Sequence, residues 1–569
     1  MTELLNQHPA LSDNEIDSAI ARSVQYLFDQ QRADGLWTDT LPSSAVGTAP
    51  ALIALHFHSR EHDAAAIAAG AQWLRRTQLA SGGWGDTPDD PPNLHGTAFA
   101  VGALAIVDPD NSATAIERGL AFIDAEGGLA ALSDRDRTPL SPICLVFWEL
   151  AGLCSSSAVP RIPLELALLP QSLRQRMSFT VPGIFALGLM QARTRRRAPL
   201  RRLLDRLAER PALSYLERLQ RFEGYIGGFE ESPMLVGVVL LGLARAGIDD
   251  DMVRRCRDYL LATRRADGSW SVNRDLELTA STAVLMGLQE AGYTDDPRLR
   301  ISLYRIMSAQ RAESFHATGV GPGGWSWSMP SGWPDTDDTA CALTVIPPFA
   351  DPKLAPQVRL GVEWLLRMQR PDGSWGCFVT KGIVGLDAPC PMLTAHIIEA
   401  LQISAGLGPH DPPVRKALDY LESAQNPDGS FTTIWYRNHV MGTAAVLSAF
   451  GKFSRAQTDS ARRARAWLTA AQLDDGGWGD GAQAAASTEE TAWALYALLQ
   501  SGTPATEPST ASAAHWLAAH QLGHGGWTPT TLGVYFPGLY FNSDHMANGF
   551  ALRALGAFQH RRLRDGDDD

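Results

Sequence analysis

Residues 369–375 read Gln-Arg-Pro-Asp-Gly-Ser-Trp, and versions of this stretch recur along the whole chain. In each strict copy a Gln closes an apolar-periodic segment, a Gly follows four residues later and a Trp six residues later. The aromatic or Leu positions of successive copies lie 41 to 56 residues apart, with one further copy expected near residue 180, so ten or eleven units fill the chain. Strict copies end at Trp37, Trp84, Trp375, Trp478 and Trp527, and degenerate copies lie at residues 127–129, 227–229, 268–270, 323–325 and 429–431.

Each unit is predicted to be a pair of amphipathic helices. Between the copies lie two segments whose apolar residues recur at i, i+3, i+4 and i+7, such as residues 491–499 followed by residues 511–520. This period is typical of helices rather than strands. The Gly permits a tight turn after a helix, and the Trp can join one helix pair to the next. Repeated helix pairs extend as a solenoid or close as a toroid, so the sequence predicts an all-α fold.

The composition describes a folded, acidic protein of more than one domain. A chain of 569 residues with 45% hydrophobic and 20% charged residues suggests about two to four domains. Its formal net charge of −13 argues against nucleic-acid binding. The six cysteines show no CxxC spacing, and no basic segment leads into an apolar run at the N-terminus. Both features favour reduced thiols and a cytoplasmic location.

A cluster of three carboxylates follows a Trp-rich segment. Residues 335–340 read Asp-Thr-Asp-Asp-Thr-Ala, eight residues past Trp327. One interpretation is a helix start, in which Asp335 is the N-cap while Asp337 and Asp338 favour the positive end of the helix dipole. The other is a strong acid beside aromatic rings, which together can protonate a carbon–carbon double bond and hold the carbocation while rings close. The motif alone leaves both interpretations open.

The repeat and the acid cluster together resemble the squalene-hopene cyclase family and, more broadly, the class II terpene cyclases, over nearly the whole chain. Residues 393–396, Leu-Thr-Ala-His, look like the family segment whose histidine hydrogen-bonds the catalytic aspartate; residues 487–495 and 442–443 are similar to a repeat helix and a helix start. The resemblance implies two α/α barrels with the reaction cavity between them. Residues 1–44 plus 273–569 would form the barrel that carries the acid motif, and residues 45–272 an inserted second barrel.

The resemblance and the chemistry of alkene protonation together assign roles to the acids. An alkene is a very weak base, so its donor must be a neutral carboxylic acid made more acidic by its hydrogen bonds. Close carboxylates keep one of their number protonated while another ionises. Asp337 is the expected proton donor, Asp335 and Asp338 tune and orient it, and a protonated His396 bonds its second oxygen. A satisfied core histidine is the alternative for His396 taken by itself.

Aromatic residues near the acid motif and outside the repeat are the expected cation-stabilising wall. A ring face contributes roughly 0.5 to 2 kcal/mol to holding a cation, and water must be excluded until the reaction terminates. Repeat tryptophans such as Trp37 and Trp270 are assigned to the scaffold, and core packing is the alternative for each candidate. The candidates are Trp325, Trp327, Trp333, Phe378, Trp435, Tyr540 and Phe541.

Departures from the family pattern bear on the substrate. Met392, Met441 and Ala280 stand where hopene cyclases carry an aspartate, a tyrosine and a tryptophan, and a polar stretch follows Phe541. Fewer aromatic stations favour a short cascade that closes two or three rings. The expected substrate is therefore a prenyl diphosphate such as farnesyl or geranylgeranyl diphosphate, with squalene or a meroterpenoid precursor as the alternative.

A diphosphate would need cationic and metal partners. Lys381 and Arg437, on loops expected near the cavity, are the candidate diphosphate ligands through charge-assisted hydrogen bonds. Ordinary surface charge is their alternative. With a diphosphate substrate Mg²⁺ is expected, assigned to Asp86, Asp89 and Asp90, an acidic loop for which simple solvation is the alternative. No organic cofactor is expected.

Residues 181–202 are the expected membrane contact. The apolar run at 181–190 leads into six arginines between Arg193 and Arg202, a pattern that can dock on an anionic surface; a solvated helix face is the alternative. No run of the roughly 18 to 20 apolar residues that a spanning helix needs is present. We expect the protein in the cytoplasm, with at most a peripheral contact to the inner face of the membrane. The oligomeric state is left open.

Other classes of protein fit less well. A noncatalytic helical-repeat binding protein would share the repeat and remains an alternative. A protein prenyltransferase β-subunit is also a toroid, but its zinc site needs an Asp-x-Cys element that the sequence lacks. An ionisation-initiated terpene synthase needs an Asp-Asp-x-x-Asp motif with its partner Asn/Ser/Glu triad, and residues 249–251 lack that context.

Overall fold

The computed structural model describes residues 13–223, 228–329, 332–347, 351–382, 384–479, 485–536 and 539–567. The predicted all-α fold is confirmed. Two short antiparallel hairpins pair β1 (Trp478–Gly479) with β2 (Ala486–Ser487), and β3 (Gly533–Phe536) with β4 (Leu539–Phe541). The helices are α1 (Asp13–Gln30), α2 (Ala45–Ser59), α3 (Ala64–Arg76), α4 (Leu94–Val107), α5 (Pro109–Ala125), α6 (Gly128–Ser133), α7 (Ser141–Leu150), α8 (Gln171–Arg174), α9 (Val181–Thr194), α10 (Pro199–Glu223), α11 (Pro233–Arg245), α12 (Asp251–Thr263), α13 (Glu277–Glu290), α14 (Pro297–Ser308), α15 (Thr336–Val345), α16 (Ala355–Met368), α17 (Pro391–Ala405), α18 (Pro412–Ser423), α19 (Val440–Lys452), α20 (Asp459–Ala471), α21 (Thr488–Gln500), α22 (Pro508–Ala519) and α23 (Asp544–Asp567).

Six inner helices form a closed ring, which we call the larger barrel. They pack in the order α13, α15, α17, α19, α21 and α23, and α23 packs back against α13. Around them lie α14, α16, α18, α20, α22 and α1, the last of which contacts α22 and α23. The inner helices are covered on nearly all sides: every residue from Val440 to Phe450 of α19 is buried. This explains why their sequences are apolar all round rather than along one stripe.

The smaller barrel is built from the helices between α1 and α13. Its inner helix α11 packs against both α9 and α2, α2 packs against α4, and α4 against α7. Helices α3, α5, α10 and α12 pack against the outside of these elements. The residue boundaries 44/45 and 272/273 between the two barrels stay a prediction.

The repeat residues join successive helix pairs by one recurring set of hydrogen bonds. The Trp375 indole donates to the Leu365 carbonyl at 2.8 Å, and its backbone N–H donates to Thr394 on the next inner helix at 3.2 Å. The Gln369 amide donates to the carbonyls of Gly373 and Pro413 at 3.0 and 2.8 Å. These bonds satisfy carbonyls that helix ends would leave open. The same indole bond, to the carbonyl ten residues earlier, is made by Trp37, Trp84, Trp270, Trp478 and Trp527.

The same bonds close both rings. At the C-terminal copy, Gln521 donates to the Ala19 carbonyl of α1 at 2.8 Å, which makes α1 an outer helix of the larger barrel. In the smaller barrel, the backbone N–H of Trp270 donates to Thr48 at 3.0 Å and so joins the last repeat copy to the first inner helix. The degenerate copy at residues 227–229 begins outside the described residues. The fold is therefore toroidal rather than an open solenoid.

The apolar run at 181–190 is not an exposed docking face. It belongs to α9, where residues such as Val181, Phe185 and Leu189 are at most 1% exposed. The prediction for this half of the 181–202 segment is wrong, because an inner barrel helix has the same hydropathy as a membrane-docking helix. Within the described ranges, no helix is both long enough and apolar enough to span a bilayer.

Candidate active site

The acid cluster begins α15, and Asp335 is its N-cap. The Asp335 side chain accepts a hydrogen bond from the Asp338 backbone N–H at 2.8 Å. Its own N–H donates to the Trp325 carbonyl at 2.9 Å, and the N–H of Thr336 donates to the Cys377 carbonyl at 3.1 Å. The helix-start interpretation thus holds for Asp335 but does not use the Asp337 carboxyl.

Asp335 and Asp338 form a buried, hydrogen-bonded carboxyl pair beside the third acid. Burial, followed by the charge of Asp338, raises the pKa of Asp335 well above its usual range. Burial also raises the pKa of Asp338, to about 6, although hydrogen bonds from Asp335 and Thr279 oppose the shift; the Thr279 bond is 2.7 Å long. Two carboxyls this close resist ionising together, so the pair favours one proton held between its two members.

Asp337 is bound to His396, as the sequence predicts for the proton donor. The Asp337 Oδ1 and His396 Nδ1 atoms lie 2.8 Å apart, and the two side chains are 17% and 16% exposed. On its other side the imidazole stacks on Trp493, with ring centroids 5.3 Å apart at 25°. A ring held between a carboxyl and an indole is fixed in orientation.

An aromatic cluster centred on Phe378 adjoins the acids. Its ring lies 6.0 Å from Trp333, 6.1 Å from Trp327 and 5.9 Å from Phe179. Phe179, from the segment before α9, also lies 5.1 Å from Phe536 of β3. Since Phe378 directly follows Cys377, whose carbonyl binds Thr336, the cluster lies beside the start of α15. It also joins the two barrels.

The other candidate aromatic residues lie either in the repeat scaffold or at the hairpin of β3 and β4. The indole of Trp325 donates to the Ile306 carbonyl, 19 residues earlier, at 2.7 Å, in a longer version of the repeat bond, and the side chain is fully buried; it is a scaffold residue. Trp435 accepts the Val534 N–H at 2.9 Å through its carbonyl. On β4, Phe541 packs against the Tyr535 ring at 4.7 Å, and Tyr540 faces a cation described next.

The two proposed diphosphate ligands are not brought together by any contact in the described residues. The Arg437 guanidinium lies 4.4 Å from the centre of the Tyr540 ring and 3.9 Å from Asp90. Lys381 is exposed, and its carbonyl accepts a hydrogen bond from Arg176 at 3.2 Å. Arg437 therefore already faces a carboxyl and an aromatic ring, whereas Lys381 adjoins a second exposed cation.

The acidic loop does not fit Mg²⁺, and that prediction is not supported. Both Asp86 oxygens accept hydrogen bonds, from Ser44 and from the Tyr540 N–H, and burial raises the pKa of Asp86 to about 7. Asp90 accepts from Thr87, while Asp89 points into solvent. A hard cation needs several converging ionised oxygens, which these residues do not offer.

Three side chains elsewhere do converge, namely Asp39, Asp544 and His545. However, Asp39 already accepts from His545 and Ser543, and Asp544 accepts from Tyr26 at 2.7 Å. Asp39, the Nδ1 atom of His545 and one oxygen of Asp544 are therefore already engaged in hydrogen bonds.

Several residues of the site were missed by reasoning from the sequence. Trp493 and Thr279 contact the acid machinery from α21 and α13, and Phe179 joins the aromatic cluster from the smaller barrel. Trp493 carried one signal, since it lies inside an inner helix rather than at the Trp position of a repeat. Phe179 and Thr279 carried none, because their contacts depend on how the barrels meet.

Two family models match the chain, that of the squalene-hopene cyclase C-terminal domain over residues 282–560 and that of the N-terminal domain over residues 20–180. The chain belongs to the squalene-hopene cyclase family. The cyclase is 24% identical to the squalene–hopene cyclase of Alicyclobacillus acidocaldarius, over 98% of this chain and 99% of that protein. It is 26% identical to the copalyl diphosphate synthase of Streptomyces cyslabdanicus, over 76% of this chain and 78% of that protein.

A solved structure shares the fold of the cyclase. The ent-copalyl diphosphate synthase from Streptomyces platensis superposes with a TM-score of 0.62 at 20% identity, covering 96% of this chain and 99% of that one. The relatives match most of the chain, and the family models match residues 20–180 and 282–560. The protein is therefore an enzyme, a class II terpene cyclase, and not a noncatalytic binding module.

Proposed function

We propose that Asp337 protonates the terminal double bond of a linear isoprenoid and so starts ring closure. The observation that carries this assignment is the 2.8 Å bond between Asp337 and His396 beside a buried pair that already holds one proton. A protonated imidazole donating to one carboxyl oxygen makes the proton on the other oxygen more acidic. The negative charge left on the pair of Asp335 and Asp338 would stabilise the cation that forms.

Ring closure then moves positive charge away from Asp337. The faces of Phe378, Trp327 and Trp333 stabilise such charge without capturing it, at roughly 0.5 to 2 kcal/mol per ring. Trp333 is fully buried and Phe378 is 4% exposed, so these rings also keep water from the cation. The small number of aromatic side chains favours a short cascade, whose product has two or three rings.

Exposed cations beside this aromatic cluster favour a prenyl diphosphate as the substrate. Arg176 lies three residues before Phe179 and Lys381 three residues after Phe378, and both cations are exposed. Their segments are joined by the hydrogen bond from Arg176 to the Lys381 carbonyl. Two cations beside an aromatic cluster suit a charged head group outside and an isoprenoid tail inside. We therefore propose Arg176, rather than Arg437, as the second diphosphate ligand beside Lys381.

A second candidate substrate is an uncharged isoprenoid such as squalene, drawn from a membrane. Helix α10 exposes Leu200, Leu203 and Leu207 by 70%, 53% and 55%, spaced as one helical stripe, and the exposed Arg202 and Arg206 flank it. Exposed leucines beside arginines suit an anionic bilayer surface. A cleft of about 490 Å³ beside α8 includes Phe315 in its wall, and Phe315 contacts Trp333 at 5.2 Å.

The substrate test is direct. The purified cyclase is incubated separately with farnesyl diphosphate, geranylgeranyl diphosphate and squalene, and extracts are analysed before and after phosphatase treatment. A cyclic alcohol that appears only after phosphatase establishes the diphosphate. A cyclic hydrocarbon or alcohol made from squalene alone overturns it in favour of the second candidate.

The membrane contact has its own test. Replacing Leu203 and Leu207 by Glu should abolish co-flotation with vesicles containing anionic lipid. The control variant replaces Leu129 by Glu in the same way. Leu129 is 40% exposed on α6 and lies far along the chain from the stripe, so this variant should float like the native cyclase. Equal flotation of all three proteins would show that α10 is not the contact.

A further inference from the structure

A second carboxylate–histidine pair lies at the start of helix α23. Asp39, in the segment between α1 and α2, accepts a hydrogen bond from the Nδ1 atom of His545 and another from the Ser543 hydroxyl. It also accepts from the His545 backbone N–H at 3.2 Å. The side chains of Asp39 and His545 are 6% and 9% exposed. The imidazole is therefore fixed to the start of the helix and shielded from bulk water.

The hydrogen bonds of His545 leave one ring nitrogen with a lone pair. An ionised aspartate only accepts hydrogen bonds, so in the neutral imidazole the proton lies on Nδ1 and the lone pair on Nε2. Among the described residues, this buried Nε2 atom has no hydrogen-bond partner. A histidine whose tautomer is fixed by an aspartate, with its other nitrogen unoccupied, has the arrangement of a general base.

Capping the helix does not account for the imidazole. Asp39 already caps α23 through the Ser543 hydroxyl and the backbone N–H of residue 545, and any side chain at position 545 would leave those two bonds in place. A buried polar atom without a partner also costs free energy of folding. The histidine side chain is therefore additional to the cap, and a neutral imidazole is the side chain best suited to accept a proton near neutral pH.

The pair lies at the same end of the larger barrel as Asp337. Inner and outer helices alternate along the chain from α13 to α23. The inner helices therefore run in one direction, and their first turns lie together at one end of the ring. Asp337 is in the first turn of α15, and His545 is in the first turn of α23. In the ring, α13 separates these two helices, and neighbouring helix axes lie about 8 to 10 Å apart.

Contacts along the first turn of α13 connect the two sites. On one side, Thr279 donates to Asp338 at 2.7 Å. The N–H of the residue before Thr279 donates to the carbonyl of Trp327 at 2.9 Å. On the other side, the residue before Asp39 donates to the first residue of α13 at 3.1 Å. Trp327, one of the proposed cation-stabilising residues, is thus held at the helix that separates the acid from the histidine.

We propose that His545 is the general base that ends the cascade, an inference that rests on the proposed function of Asp337. The last carbocation loses a proton from a carbon next to the cationic centre. The electrons of that C–H bond form a carbon–carbon double bond, and the proton passes to Nε2.

The proton balance of this step needs no other reagent. The imidazolium keeps its Nδ1–H bond to Asp39, whose negative charge stabilises it. One proton enters the substrate at Asp337 and one leaves it at His545, so the reaction is an isomerisation. Before the next turnover, the imidazolium gives its proton to water and the carboxyl of Asp337 regains one.

The test is the product profile of two variants, His545→Asn and Asp39→Asn. The first removes the base. In the second, the new amide can donate to Nδ1 and so favours the tautomer with its proton on Nε2. Both variants keep Asp337, so substrate should still be consumed. General-base catalysis contributes about 10²- to 10⁴-fold, so the yield of the native alkene relative to other products should fall at least about tenfold.

The other products expected are isomeric alkenes and skeletons hydroxylated by water, which gas chromatography with mass spectrometry detects after incubation in isotopically labelled water. A single unchanged alkene from the variants overturns the inference. So does a native product whose ring skeleton carries oxygen from the labelled water. If His545→Asn does not fold, Asp39→Asn, which keeps an oxygen to cap α23, decides by the same two outcomes. A merely structural role would lower turnover without changing the products.

The matched control is His560→Asn. His560 lies on the same helix and also faces a carboxylate, that of Glu290 at 3.6 Å, but its side chain is 42% exposed. Its products should match those of the native cyclase, and an equal change in this control would overturn the inference. Asp337→Asn separates the two proposals. Turnover in that variant refutes the proposed function, whereas an inactive Asp337→Asn beside unchanged products from the His545 and Asp39 variants refutes only the terminating base.

Discussion

Replacing His396 by Ala tests the central bond of the site. The change removes the 2.8 Å hydrogen bond to Asp337 and the stack on Trp493 while leaving the acid in place. A hydrogen bond that involves a charged group contributes about 1.5 to 3 kcal/mol. If that contribution is made in the transition state, the loss in kcat is about 10- to 150-fold, since about 1.4 kcal/mol corresponds to a factor of ten.

Asp337→Asn should be far more severe, because it removes the proton itself rather than the group that sharpens it. General acid catalysis contributes up to about 10⁴-fold, and an alkene has no other route to protonation, so we expect turnover at background. The assay is the initial rate of cyclic product by gas chromatography under saturating substrate. The expected order is therefore native, then His396→Ala, then Asp337→Asn.

The matched control is His439→Ala. This histidine makes a hydrogen bond of the same length, 2.8 Å to Ser430, and has an aromatic neighbour in Trp467 at 6.4 Å. It should lose stability without losing turnover per folded molecule. If His396→Ala falls as far as Asp337→Asn, the histidine itself is the donor; if it matches His439→Ala, the bond plays no part in catalysis.

Two further predictions concern stability. Burial raises the pKa of Glu489 from 4.5 to about 7 in spite of two hydrogen bonds from Thr530. The native state therefore favours the neutral carboxyl and loses stability as pH rises from the unfolded pKa to the folded pKa, with no further loss above it. The thermal midpoint of Glu489→Gln should gain on that of the native protein between about pH 5 and pH 7, and a constant difference would contradict this. Gln521→Ala removes the hydrogen bond to Ala19 that closes the larger barrel, and it should lower the free energy of unfolding by about 1 to 3 kcal/mol in denaturant titrations. The control, Gln25→Ala on the exposed face of α1, should change this free energy by less than about 0.5 kcal/mol. Equal effects of the two variants would contradict the role of the closing bond.

The repeat made the fold predictable from the sequence because each of its residues has one local task. The spacing from Gln369 to Trp375 specifies a helix end, a turn and an indole bond, and it is these bonds that join one helix pair to the next. The Asp337–His396 pair was predictable only through the family resemblance. The two residues are 59 positions apart, and no periodicity relates a helix start to the middle of the next inner helix.

The predictions for two segments of the sequence failed for physical reasons. The run at 181–190 and the exposed stripe that begins at Leu200 are both apolar, but only the second keeps a helical spacing of three and four residues with arginines on its flanks. Amphipathic spacing, not mean hydropathy, separates the proposed docking face from the core. Asp86 and Asp90 resembled a metal loop because the sequence does not show that Ser44, Thr87 and the Tyr540 N–H occupy their oxygens.

The bond between Gln521 and Ala19 has a consequence for synthesis of the protein. Its partners are 502 residues apart, so at about 5 to 20 residues per second α1 waits on the order of 25 to 100 s on the ribosome before its place in the larger barrel exists. The apolar face of α1, with Ile16, Ile20 and Leu27, must stay unaggregated for that time. The smaller barrel is translated during this interval and can close on its own through Trp270 and Thr48. The larger barrel is thus the last part of the protein to be completed.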